Sequence, residues 1–167
     1  MRATAPALAS ALLLVGCGVP TEEPTPEELA VYGAAQAADF PALVSKDCAE
    51  VVQFYLEELG GREWAVAALA WDDPAIDAAR LEAVFGSYGE LQLAWTEPSV
   101  EGAAGSLYCT ISGKLTDAQD PAKPPVEGTL ELKRVNDVPG ATPDQLRWTL
   151  RSSTFVETLE RSDGGKP

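Results

Sequence analysis

The spacing of apolar residues changes character once along the chain, near residue 88. Before that point the period is helical. Cys48, Val51, Val52, Tyr55, Leu56 and Leu59 recur at three- and four-residue intervals, which predicts a helix capped by Asp47 and closed by Gly60-Gly61. A second, more apolar helix is expected from Arg62 to Trp71. A third is expected to open at Asp73-Pro74, with Ile76, Ala79, Leu81, Val84 and Phe85 inward and Gly86 at its end. Asp72-Asp73 could form a carboxylate pair of raised pKa or a calcium ligand pair, but the favoured reading is a helix cap. Upstream, Thr25-Pro26-Glu27-Glu28 has the residue types of a helix start, and a short helix through about Ala38 is predicted.

After Tyr88 the period is two. Leu91, Leu93 and Trp95 alternate with polar or small residues. So do Leu107, Cys109 and Ile111, then Leu130 and Leu132, then Leu146, Trp148 and Leu150. Turn chemistry fills the joints: Glu97-Pro98 with Gly102 and Gly105, the proline-rich run from Asp117 to Val126, and Asn136 to Asp144 around Pro139-Gly140. Helices followed by strands with one apolar face predict an α+β domain. In it the N-terminal helices pack on one face of a four-stranded antiparallel meander sheet.

Composition narrows the chemistry. The 167 residues are 46% hydrophobic and 23% charged, enough for one domain with a packed core. There are 12 Lys+Arg against 26 Asp+Glu, a net charge of −14. That field repels phosphate backbones, so no nucleic-acid partner is expected. The chain has no histidine. Histidine-based acid–base catalysis, Ser-His-Asp triads and the commonest zinc and iron ligand sets are therefore excluded. No Gly-rich phosphate loop or nucleophile elbow is present, and no cofactor, metal ligand or catalytic residue is assigned. Asp117, Asp120 and Glu127 share a loop without the spacing of a calcium loop, and are expected to be solvated.

The first residues, MRATAPALASALLLVGC, place Arg2 before an apolar run from Ala5 to Val15 and a small residue before cysteine. This is the three-part layout of a secretory signal. The run is well short of the ~20 residues that span a bilayer. Leu14-Val15-Gly16-Cys17 resembles the lipobox of bacterial lipoprotein precursors. The resemblance implies cleavage between Gly16 and Cys17 and lipid on the Cys17 thiol, hence a membrane partner through that lipid. Residue 18 is Gly rather than the Asp that retains such proteins in the inner membrane, which points to the outer membrane. Gly18 to Glu28, with Pro20, Pro24 and Pro26 among acids, reads as an extended spacer reaching about 30 Å at ~3.1 Å per residue. The organisation expected is a signal peptide at 1–16, a lipid-anchored tether at 17–28, the α+β domain at 29–160 and a disordered tail at 161–167.

If Cys17 carries lipid, Cys48 and Cys109 remain as an even pair in an oxidising compartment, and a disulfide is expected between them. The element order over roughly residues 45–155 is similar to the cone-shaped fold shared by nuclear transport factor two and ketosteroid isomerase. That resemblance implies a pocket in which a carboxylate base works beside hydroxyl donors. Tyr55, Tyr88, Tyr108 and Asp39 are the residues here that could supply them, although no position matches a catalytic motif of the family. Trp64, Trp71, Trp95 and Trp148 could line such a cavity or simply fill the core. The leading expectation is a lipid-anchored, non-catalytic envelope protein that binds a protein partner or a small ligand in the periplasm. The alternatives are a histidine-free pocket enzyme or carrier on the cone, and a structural lipoprotein without ligand.

Overall fold

The structure, a computed structural model, describes residues 36–163; Gly16, Cys17, the spacer and most of the first expected helix lie outside them. A 3-10 turn at Pro41–Val44 leads into helix α1, Cys48–Gly61. Asp47 caps α1 as expected: its side chain accepts from the N–H of Ala49 at 2.9 Å. Gly60 and Gly61 are both helical, and the left-handed stop falls instead on Arg62, at φ 62°. The arginine holds this position with its side chain, which donates to the carbonyl of Tyr88 at 3.1 Å.

The second helix, α2, is only Trp64–Ala68, not the longer element expected to Trp71. After two turn residues the chain runs beside the sheet: Trp71 forms a parallel bridge to Leu150, with Leu150 N–H donating to Ala70 O at 2.7 Å and Asp72 N–H to Leu150 O at 3.1 Å. Those bonds hold the backbone extended, which ends the helix early. The next helix, α3, also differs from expectation. It covers Ala78–Phe85 and is capped by Asp77, whose carboxylate accepts from Arg80 N–H at 2.8 Å. Asp73 instead closes a turn by accepting from Ala75 N–H, and Ala79 faces solvent.

Five strands make one antiparallel sheet: β1 Leu91–Trp95, β2 Ser99–Ala103, β3 Ser106–Asp117, β4 Val126–Val135 and β5 Thr149–Ser153. The order is β1-β3-β4-β5, and β2 pairs with the same edge of β3 as β1 does. Trp95 faces Gly113 and Ser99 faces Thr110, so three residues of one strand oppose two of the other. This bulge at Thr96-Glu97-Pro98 makes β1 and β2 one bent strand, and the expected four-stranded meander is recovered in outline. The last expected strand shifts: Leu146 belongs to a short helix α4, Pro143–Leu146, opened by a capping box between Thr142 and Gln145. A helix not foreseen from the sequence, α5 at Thr154–Asp163, closes the described chain.

Helices cover one face of the sheet, as expected for an α+β domain. Residues opposite one another in the ladder share a face. Cys109, Ile111 and Leu115 of β3 and Leu130 and Leu132 of β4 therefore point together at α1 and α5 and are buried. Phe155 of α5 sits over Gly128, where an added Cβ would lie 2.8 Å from Thr154 Oγ1 and 2.9 Å from the Phe155 ring. A paired Arg80 and Glu160, Nε to Oε1 2.6 Å and a second nitrogen to Oε2 3.1 Å, ties α3 to α5. Cys48 of α1 and Cys109 of β3 are joined in a disulfide, Cα to Cα 6.5 Å, that staples the first core helix to the middle of the sheet.

Candidate functional site

The helix-covered face of the sheet is where a cone-type pocket would lie, and side chains fill it. Tyr55 and Leu59 of α1, Phe85 of α3 and Phe155 of α5 close around a residual space of about 10 Å³. That is the lower limit for one water molecule. The four polar residues that could have furnished a pocket do not converge. Tyr55 is fully buried; burial pushes its hydroxyl far above the ordinary tyrosine value, and neither its oxygen nor the Trp71 indole nitrogen makes a hydrogen bond of proper geometry. Tyr88 is buried beneath Lys123, whose ammonium lies 3.6 Å from the ring centre. Tyr108 projects from the opposite face of the sheet, beneath Arg151. Asp39 is exposed near the start of the described chain. The tryptophans are dispersed too. Trp71 and Trp148 are in the core, Trp64 is half-buried, and Trp95 is 38% exposed beside a shallow groove against α1.

Of the loop acids Asp117, Asp120 and Glu127, the first is not solvated. Asp117 is buried at the end of β3, and its carboxylate accepts from the N–H groups of Gly89, Glu90 and Gln119 at 2.8, 3.0 and 3.0 Å. These bonds, with Lys123 at 3.9 Å, hold its pKa below the usual carboxylate range. It is a clamp between the β3 end and the loop before β1. Among the described residues no three His, Cys, Asp or Glu side chains gather as a metal site.

An open cleft of about 610 Å³ lies elsewhere, at the β5 edge of the sheet between α2, the 72–77 turn and α4. Two arginines form part of its wall and are themselves buried. Arg147 donates from Nε to Asp144 Oδ1 at 2.7 Å and from a terminal nitrogen to the carbonyl of Leu69 at 3.1 Å. Arg134 reaches the carbonyl of Leu146 at 3.2 Å and the carboxylate of Asp137 at 2.9 Å, while its Nε has no partner. These contacts fasten α4 to both α2 and β4, so the cleft wall is rigid.

The opposite rim is acidic. Asp73 and Asp77 are engaged as a turn and a cap. Asp72 stands apart: although its side chain is exposed, partial desolvation raises its pKa, opposed by its own backbone N–H and by the charges of Arg151 and Lys133. Its backbone is fixed by the bridge to Leu150, so it sits in register with the sheet although it belongs to no strand. Lys133 of β4 pairs with Thr149 of β5, and the Thr149 hydroxyl donates to the carbonyl of Lys133 at 3.3 Å. Local pattern favours Asp72 and Asp73 as a helix cap over a carboxylate pair, and it assigns Lys133 no role. No local pattern could have linked Asp72 to Lys133, because a bridge between residues 71 and 150 brings them to one edge.

Fold and site define a class: a disulfide-stapled α+β domain, helices on an antiparallel sheet, with a filled interior and a charged cleft at one edge. No family model matches the chain. No curated protein matches it either. Among solved structures it is similar to a crystal structure from the NTF2-like family of Streptomyces avermitilis, at 13% identity and a TM-score of 0.41, covering 62% of this chain and 87% of that one.

Proposed function

We propose that the chain is the precursor of a lipid-anchored lipoprotein of the bacterial envelope, cleaved before Cys17 and held at the outer membrane facing the periplasm. Its domain is a non-catalytic module that binds a small ligand in the cleft beside β5. The observation that carries the binding role is the contrast between a filled interior and the open cleft of about 610 Å³. That volume lies within the range of small-molecule sites, and the cleft combines apolar wall with a few placed charges. The export reading is supported by cysteine usage. Cys48 and Cys109 are paired, as suits an oxidising compartment, which leaves Cys17 the odd thiol in the lipobox-like Leu14-Val15-Gly16-Cys17.

Each half has its own test. Expression of Cys17→Ser in a bacterial host, followed by intact mass and membrane fractionation, reads the anchor; unchanged mass and unchanged membrane association refute it. A fragment screen by NMR reads the binding role: hits that perturb Leu69, Lys133 and Thr149, and are lost in a cleft-filling Ala65→Trp variant, are expected. A screen with no hit at the cleft refutes it.

A further inference from the structure

We infer that the cleft beside β5 takes a small zwitterion carrying a primary ammonium and a carboxylate, such as an apolar α-amino acid, held between Asp72 and Lys133. The inference rests on the small-ligand reading above. It follows from which charges in the cleft are already satisfied. Arg134 and Arg147 are bound to Asp137 and Asp144 and to backbone carbonyls, and Asp73 and Asp77 accept from the N–H groups of Ala75 and Arg80. Besides the buried Arg134 Nε–H, which has no partner, two charged groups are left over. Lys133 enters no side-chain hydrogen bond or ion pair among the described residues, and Asp72 has only its own backbone N–H with longer-range cations.

Sheet register sets these two groups on one face. Trp71 and Leu150 are parallel bridge partners and share the core side, so Asp72 and its register neighbour Arg151 project to the other side, as does Thr149 before Leu150. Lys133 and Thr149 are ladder partners and share that side. Asp72 lies diagonally beyond that pair, two interstrand spacings across and two residues along, so it is roughly 12 Å from Lys133 at the backbone, and Arg151 beside it is turned to Glu131 at 3.6 Å. No ion pair within 4 Å closes the gap. The Thr149 hydroxyl lines the same cleft and gives its proton to the Lys133 carbonyl. Leu69, Pro74 and Val135 supply apolar wall for a side chain.

Simple ions suit this cleft poorly. An anion alone approaches against a net charge of −14 and three aspartates on the rim. A cation alone leaves the Lys133 ammonium facing it. A zwitterion satisfies both.

The test is an isothermal or NMR titration of the folded protein with L-leucine, N-acetyl-L-leucine and L-leucinamide. Saturable binding of L-leucine is expected, weakened about tenfold or more when either the ammonium or the carboxylate is masked. Asp72→Asn should discriminate less against the N-acetyl probe, and Lys133→Gln less against the amide, with melting temperatures showing both variants folded. If N-acetyl-L-leucine or L-leucinamide binds as well as L-leucine, the zwitterion inference is overturned and the small-ligand reading stands. The same holds if L-leucine fails while fragments still bind the cleft. If no fragment binds there, both fall.

Discussion

Opening the Cys48–Cys109 bridge should cost the domain about 4 kcal/mol. The two residues are 61 apart in sequence, and the loop-closure relation gives roughly 14 cal/mol/K of unfolded-chain entropy removed by a cross-link of that span, close to ~4.3 kcal/mol at 25 °C. For a domain of this size that corresponds to a fall of roughly 15 °C in melting temperature. The figure is sensitive to context, because the bridge joins α1 to the centre of β3 and both sulfurs are buried. The cleanest comparison is the oxidised protein against the same protein reduced under denaturant and refolded with reductant present. Urea unfolding followed by circular dichroism gives the two free energies. A Cys48→Ala/Cys109→Ala double variant checks that the loss follows the link and not the reductant. A difference below about 1 kcal/mol would refute the cross-link account. Alkylation of both thiols in the folded, unreduced protein would refute the bridge.

Three further outcomes are expected. Tyr55→Phe removes a buried hydroxyl whose contact with the Trp71 indole lacks hydrogen-bond geometry, so denaturant unfolding should show stability unchanged or rising by up to about 1 kcal/mol; a clear loss would mean that contact is a working hydrogen bond. Gly128→Ala drives a Cβ to within 3 Å of Thr154 and the Phe155 ring and should cost about 1–3 kcal/mol, while Gly60→Ala, with nothing near it, should not destabilise. The depressed pKa of Asp117 means its stabilisation is present above the unfolded-state value near 3.9 and is lost as pH falls through its lower folded value. The melting-temperature gap between wild type and Asp117→Asn should therefore narrow on acidification below about pH 4, and a gap independent of pH would contradict the clamp.

Much of this architecture can be read from periodicity alone, and the exceptions have separate physical causes. The period-two runs of β3 and β4 bury one clean face, so Ile111, Leu130 and Leu132 announce the sheet without help. Strand β2 does not announce itself, because all five of its residues are exposed and the bulge at Pro98 puts its alternation out of phase with β1. Helix α2 looks longer in sequence than it is, since alanine and leucine suit a helix up to Trp71 and only the distant Leu150 holds the chain extended. Helix α5 is amphipathic, but it begins directly where β5 ends, without a turn signal to separate them. The disulfide follows from counting cysteines, given export. The cleft follows from nothing local: its walls come from α2, β4, α4 and β5, and its two available charges are brought to one face through a single parallel bridge.

The bent outer strand has a consequence for crowding. A strand with one side unpaired invites a neighbour to continue the sheet. On the proposed lipid-anchored reading, copies would meet one another at high local density, which sharpens that hazard. Here the bulge breaks the line of the edge, Pro98 withholds an amide, and Glu97 and Glu101 bring like charges face to face whenever two such edges approach. The distortion that hides β2 from a reader of the sequence is also one that works against a second copy adding to that edge.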